Sequence, residues 1–280
     1  MNNLTHIRSL LFVPAGKLDK WEKAVASGTD AICIDLEDSV PAAEKRDARS
    51  KVFAFLEHGI TAHVPVMLRI NSPETDAGNS DIEMIRELSR PAGGLMVPKL
   101  TGPEPLERLG KQLIMFDKKT QLIPLIETSE GLESARKIMS INLVTAAVFG
   151  GHDLAMELGC SKEWDVLSAY RSEFIRSTGG LKLALIDMPW FGLDDLNGLQ
   201  HETEKAQRFG FTAKAAIHPA QIELINNIFT PSEKEAKDAG EMIRIFEEAG
   251  GHAVAWRGMV LEPPVIHQAK RIVERAKRFN

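Results

Sequence analysis

Leu122-Ile123-Pro124-Leu125-Ile126-Glu127, a helical pattern over Ser129–Ser140, and then Val144-Thr145-Ala146-Ala147-Val148-Phe149-Gly150 together decide the fold. The two apolar runs are continuous rather than alternating, as expected of strands buried on both faces. About three turns of amphipathic helix between them make a βαβ unit, whose strands must be parallel. The alternation extends in both directions. Upstream lie Ser9–Pro14, Ala31–Leu36, Val64–Ile70 and Gly94–Pro98; downstream lie Leu181–Asp187 and Ala213–His218. Helical patterns such as Lys17–Ser27 and Pro41–Leu56 fall in the gaps. Eight strand–helix units predict a closed (β/α)8 barrel, the TIM-barrel architecture, for which 280 residues is an ordinary size. An open doubly wound sheet would bring a Gly-rich turn after the first strand, where this chain has Pro14-Ala15-Gly16-Lys17.

Beyond His218 the pattern changes. Ser232–Glu248 reads as a charged helix, Gly250-Gly251 as a break and Val265–Phe279 as a final amphipathic helix. The expected division is a barrel over 1–230 and a C-terminal helical extension over 231–280. That extension is expected to pack on the barrel and on a neighbouring subunit.

A net charge of −5, from 34 Lys and Arg against 39 Asp and Glu, offers no general affinity for a phosphate backbone, so nucleic acid is not an expected partner. No apolar run approaches the roughly 20 residues of a membrane span, and Met1–His6 lack the pattern of a signal peptide. Cys33 and Cys160 have no CxxC spacing, and Cys33 reads as core. A reducing, cytoplasmic setting is expected.

In such barrels the chemistry sits at the C-terminal ends of the strands. The second run ends in Asp35-Leu36-Glu37-Asp38, the third in Arg69-Ile70-Asn71 and the fourth in Pro98-Lys99. The fifth ends at Glu127, the sixth enters Gly150-Gly151-His152-Asp153, the seventh ends at Asp187 and the eighth at His218. Carboxylates gathered on one rim repel and raise one another's pKa unless a cation neutralises them. A hard divalent metal with oxygen ligands, completed by water and substrate, is the economical answer. The chain carries no HExxH, GxSxG, P-loop or paired-cysteine zinc pattern.

At these positions the chain resembles the citrate lyase β-subunit-like family, related to the malyl-CoA and citramalyl-CoA lyases of the HpcH/HpaI aldolase superfamily. The resemblance rests on Arg8–Pro14, Asp35–Val40 with Lys45 and Arg49, Arg69-Ile70-Asn71, Pro98-Lys99, Ile126-Glu127-Thr128, Gly150–Leu154, Gly210–Lys214 and Ile217–Ile222, in that order. It implies a trimeric or hexameric barrel enzyme that cleaves a 3-hydroxy acyl thioester into an acyl thioester, such as acetyl-CoA, and a 2-oxo acid. Glu127 and Asp153 would then ligate Mg²⁺ (or Mn²⁺), and Arg69 would contact substrate and serve catalysis with Asp38. Asp35 and Glu37 would support them from behind, and Lys99 and Asp187 would also meet substrate. Arg8, Lys17 and Lys214 would be the CoA contacts.

A Met-Ile-Asp-x-Pro-like motif supplies the family's acid/base from a neighbouring subunit. Here the matching stretch is Val260-Leu261-Glu262-Pro263-Pro264, so the resemblance implies that Glu262, one methylene longer, is either a repositioned base or the sign of a changed chemistry. Misplacement by about 1 Å can cost on the order of 100-fold in rate. Three alternatives stay open: an aldolase acting on a free hydroxy-oxo acid, a malyl-CoA-type thioesterase, and a non-catalytic ligand-binding homologue.

Overall fold

The computed structural model describes residues 4–58 and 63–279, so the first three residues of the N-terminal reading lie outside the described ones. Eight parallel strands close into a barrel in chain order: β1 (Ser9–Pro14), β2 (Ala31–Asp35), β3 (Val66–Arg69), β4 (Gly94–Val97), β5 (Gln121–Ile126), β6 (Ala146–Phe149), β7 (Ala184–Asp187) and β8 (Ala213–Ala216). The barrel closes where β8 pairs with β1, Ser9 opposite Lys214. All eight expected strands form, with ends differing by at most three residues.

The barrel interior is a packed core. Leu10, Cys33, Met67, Met96 and Ile123 meet the smaller Ala146, Ala184, Ala213 and Ala215, while Leu4 and Ile7 join from ahead of β1. Gly94 is required by this packing, since a Cβ there would lie 2.4 Å from Ile123 Cδ1. Cys33 is fully buried and burial pushes its thiol up, which makes it the core residue the sequence suggests. Among the described residues no helix is long and apolar enough to cross a membrane.

Two expected helices are broken. Over Lys17–Ser27 the chain makes a 3-10 segment, Ala15–Lys20, then the helix Trp21–Ala26, because Lys17 leaves helical geometry at φ −125°. The span Ser129–Ser140 divides at Ser134 into Ser129–Glu133 and Ala135–Met139.

By its internal contacts the chain forms two compact units, Met1–Asn226 and Asn227–Asn280. The second is not only helical. Its helices Glu233–Glu248 and Pro263–Phe279 pack together, and between them β9 (Val254–Trp256) and β10 (Met259–Leu261) form an antiparallel hairpin. Arg257 and Gly258, both at positive φ, make the two-residue turn that matches strand twist. Arg257 also binds Asp238 at 2.9 Å and Glu241 at 2.8 Å, tying the hairpin to the first helix.

Three residues expected at the mouth lie elsewhere. Arg8 precedes β1, at the opposite end of the barrel, where Asp30 grips its guanidinium through two 2.8 Å contacts. Asp187 and Lys214 are partners in the β7–β8 register and wholly buried. Lys214 Nζ donates to Asp187 Oδ2 at 2.7 Å, Glu202 Oε1 at 2.8 Å and the Met188 carbonyl at 2.7 Å. Arg171, on the helix Trp164–Ser177, donates to Asp187 Oδ1 at 2.8 Å and is also fully buried, over the Trp164 ring. Two cations and two carboxylates thus neutralise one another under the helices. Asp187 and Lys214 are sealed from solvent and line no part of the mouth cavity, although Arg171 Nη1 is left without a hydrogen-bond partner.

Burial pushes the Asp187 carboxyl up, but Lys214 and Arg171 outweigh it and hold the group below the usual carboxylate range. A depressed folded pKa stabilises the fold above the unfolded value and is lost as pH falls through the folded one. Lys214→Met is therefore expected to cost about 3–5 kcal/mol in urea unfolding near pH 7, because it removes the buried ammonium bound to both carboxylates and leaves Arg171 alone against them. The deficit should shrink as pH falls below about 4, where the unfolded-state Asp protonates. A loss under about 1 kcal/mol would show that the quartet is dispensable.

Candidate active site and metal centre at the barrel mouth

A cavity of about 460 Å³ opens at the C-terminal ends of the strands. Its polar lining includes Asp35, Asp38, Arg69, Glu127, His152 and Asp153, and its apolar lining includes Phe12, Met156 and Phe191. The size suits a small-molecule ligand.

Asp35 ends β2 and Arg69 ends β3, directly opposite in register. The guanidinium meets Asp35 edge-on, Nε to Oδ1 and Nη2 to Oδ2, both at 2.7 Å, while Phe12 lies under it at 5.2 Å. Asp35 also accepts the Glu37 and Ser39 amides at 2.9 and 3.1 Å, which curls the loop after β2. Burial raises the Asp35 carboxyl, yet Arg69 prevails and holds it low. The bidentate edge of Arg69 is thus spent on Asp35, and a substrate can meet only Nη1. That nitrogen stands 2.9 Å from Glu37 Oε2 and 3.2 Å from Asp38 Oδ2. Asp38 is more than half exposed, whereas Glu37 is buried, its Oε2 lacks an aligned hydrogen bond, and burial pushes it up to about 7.

The other motif residues prove to be scaffolding. Lys45 Nζ donates to the carbonyls of Leu36 and Glu37 at 3.1 and 2.9 Å. Asn71 Nδ2 donates to the Leu36 carbonyl at 3.0 Å and to buried Asp81 at 2.7 Å, and Arg49 grips the same Asp81 at 2.7 Å.

Glu127 follows β5 and is buried, while Asp153 sits in the first turn of the helix Gly151–Leu158. Their carboxyls lie within hydrogen-bonding reach of each other. Burial, opposed by Lys99 and reinforced by Asp153 and Glu37, pushes Glu127 up to about 8. Asp153 is driven up by burial but held low by its bond to Lys99. Gly150 makes the pair possible: a Cβ there would stand 2.4 Å from Glu127 Cβ and 3.1 Å from its Oε2.

This donor set fits a hard divalent ion. Among the described residues no group of three or more His, Cys, Asp or Glu is arranged to hold a metal. An ion on the Glu127–Asp153 pair would take its other ligands from water and substrate. Lys99 Nζ lies 2.7 Å from Asp153 Oδ2 and 3.3 Å from Glu127 Oε1, which marks the gap as a cation position.

Of the residues expected from sequence, the mouth brings together Asp35, Glu37, Asp38, Arg69, Lys99, Glu127 and Asp153. Lys17 is exposed after β1 and Glu262 is exposed after β10, in the second unit. Phe12, within β1, and Phe191, in the loop after β7, were not singled out for the site because an apolar side chain carries no chemical signal of its own. Phe191 packs on the His152 ring at 4.8 Å, beside Asp153.

The chain has relatives among known proteins. Residues 8–219 match the HpcH/HpaI aldolase/citrate lyase family, and residues 160–280 match the carbon–carbon bond lyases of the TIM-barrel fold. The chain is 33% identical over 255 residues to the (3S)-malyl-CoA thioesterase of Cereibacter sphaeroides, covering 88% of this chain and 85% of that one. It is 28% identical over 287 residues to the mitochondrial citramalyl-CoA lyase of Homo sapiens, covering 95% and 84%. CitE from Mycobacterium tuberculosis, solved in complex with magnesium, acetoacetate and coenzyme A, superposes with a TM-score of 0.79 at 26% identity, covering 96% of this chain and 97% of that one.

Gly150→Ala tests the cradle directly. Glu127 must move, so magnesium affinity by calorimetry should fall at least about tenfold, at a cost of about 1–3 kcal/mol in stability. Unchanged affinity would show that Glu127 is not a ligand in this position.

Proposed function

The chain belongs to the HpcH/HpaI aldolase/citrate lyase family and is a carbon–carbon lyase, and from that premise we propose that it cleaves a 3-hydroxy acyl thioester. The products would be an acyl thioester such as acetyl-CoA and a 2-oxo acid. The observation that carries this reading is the meeting of the Glu127–Asp153 pair and Arg69 in one cavity. Magnesium, acetoacetate and coenzyme A in the mycobacterial relative support it.

In this reading Glu127 and Asp153 hold the ion through carboxylate oxygens. When bound, the ion supplies Lewis-acid polarisation of the oxygens of the 2-oxo acid half. Asp35 fixes the plane of Arg69, leaving Nη1 to face negative charge. A base takes the 3-hydroxyl proton, the carbon–carbon bond breaks, and the oxygen becomes the carbonyl of the 2-oxo acid. The bonding pair passes to the thioester fragment as an enolate, which Arg69 stabilises and which a proton then quenches at carbon. Phe12, Met156 and Phe191 keep bulk water from the fragment.

The thioesterase relative favours a second reading, hydrolysis of the same thioester. A panel of malyl-CoA, citramalyl-CoA and citryl thioesters separates the two. Cleavage releases a 2-oxo acid and keeps the acyl thioester, whereas hydrolysis releases a free thiol and no 2-oxo acid. We expect 2-oxo acid from at least one member, abolished at least about 100-fold by Glu127→Ala. Thiol release alone would replace the lyase reading with hydrolysis. Turnover of a free hydroxy-oxo acid alone would replace it with aldol cleavage.

For the base we propose Glu262 of a neighbouring subunit in a homotrimer or its multiple. Proline at 263 and 264 restricts the backbone after it. Mixing Glu262→Gln with Arg69→Ala subunits should recover activity, once mass spectrometry shows exchange, because some mixed sites carry both native residues. Exchange with no recovery, or an active monomer in sedimentation, would exclude a base given in trans.

A further inference from the structure

Lys99 adopts φ 54°, a left-handed conformation that residues with a Cβ seldom take. It follows β4, whose Met96 points into the barrel core. Strict alternation from Met96 would turn Lys99 away from the barrel axis. The left-handed backbone instead sends both its ends to the carboxylate pair. The Lys99 amide donates to Glu127 Oε1 at 2.8 Å, and its ammonium donates to Asp153 Oδ2 at 2.7 Å while standing 3.3 Å from Glu127 Oε1. The side chain is 40% exposed, so packing does not force it there. Unusual backbone kept at a functional site calls for a functional reason.

We propose that Lys99 is a tethered counter-cation of the metal centre, whose ammonium occupies the gap between Glu127 and Asp153 and must swing aside for a divalent ion to bridge them. The inference rests on the reading of that pair as metal ligands. The ammonium stands 2.7 Å from Asp153 Oδ2 and 3.3 Å from Glu127 Oε1, where an ion bound to both oxygens would have to sit, and like charges so close repel strongly where water is partly excluded. Lys99 thereby sets ion affinity by competition and keeps the two carboxylates aligned. Its amide stays on Glu127 in either arrangement and holds that oxygen in place while the side chain moves. The ligand chemistry is that of a hard divalent cation, and the lysine makes its affinity lower than the bare carboxylate pair would give.

Lys99→Met isolates the charge, because methionine keeps the Cβ and much of the length. In calorimetric titrations with magnesium chloride at pH 7, this variant should bind about tenfold more tightly than wild type. Lys99→Arg should remain within about threefold of wild type, since the positive charge is kept. Melting gives a second readout. With EDTA, Lys99→Met should melt below wild type, and saturating magnesium should close that gap. A lysine that only supports the fold would leave the gap the same with and without the ion. Unchanged or weaker magnesium binding by Lys99→Met, together with loss of binding in Glu127→Gln, overturns the lysine's role and spares the metal site. Equal binding by wild type and Glu127→Gln, or binding by neither, overturns the metal site and this inference with it.

Discussion

Asp35 stands opposite Arg69 in the β2–β3 ladder, and Asp187 stands opposite Lys214 in the β7–β8 ladder. Partners in a parallel ladder lie about 4.8 Å apart, so opposite charges pair there without any reach by a loop. This register is the constraint on which the mouth depends. A one-residue slip in β3 would bring Leu68 to Asp35 and turn the guanidinium to the other face of the sheet. The slip is prohibited by the core, since Met67 would leave the interior along with it. Hydrophobic packing thus fixes register, and register fixes the ion pairs.

The two pairs end in different chemistry because of which way they face. Inward positions alternate along each strand, and Cys33, Met67, Ile123 and Leu125 mark the inward set. Asp35, Arg69 and Glu127 fall on the same parity and point into the mouth. Asp187 and Lys214 follow inward Ile186 and Ala213, so they face the helices and meet Arg171 and Glu202. Behind the sheet, two cations balance two carboxylates in a sealed space. At the mouth, Arg69 and Lys99 face Asp35, Glu37, Asp38, Glu127 and Asp153, an excess of carboxyl groups. Burial, reinforced by that excess, pushes Glu127 and Glu37 upward, and the proposed divalent ion would belong at the mouth, not at the balanced quartet.

Much of this was legible in the sequence. Eight apolar runs, seven of them leading into polar or charged residues, announced the barrel and its rim, and Glu127, Asp153 and Arg69 were recognisable there. Asp187 and Lys214 were misplaced because position near a strand end was read without parity, although alternation from Ile186 and Ala213 could have corrected it. Arg8 was misplaced for a simpler reason: it lies before its strand rather than after it. The hairpin at Val254–Leu261 was hidden because Arg257 supplies a positive φ usually left to Asn or Gly. Lys99 was expected at the mouth, but its hold on the carboxylate pair could not be read, since nothing in Pro98-Lys99 signals a left-handed backbone. Its place is set by two carboxylates 28 and 54 residues away.

The cavity's apolar wall bears on why lyase and thioesterase chemistry occur among relatives of one fold. Both reactions need a polarised thioester and a held acid, so both ask for the same carboxylates and guanidinium. They differ in whether water reaches the thioester carbon or a proton reaches the enolate first. Phe12 lies against Arg69 and Phe191 against His152, which puts apolar surface beside the guanidinium and the imidazole. Low polarity there strengthens the hold of Arg69 on a developing oxyanion, and it removes the water that hydrolysis requires. Phe191 and Met156 are 41% and 70% exposed, so the water barrier is thinnest at the lip of the mouth. In the proposed reaction the balance between cleavage and hydrolysis would therefore be set at that lip, by side chains that take no direct part in either step.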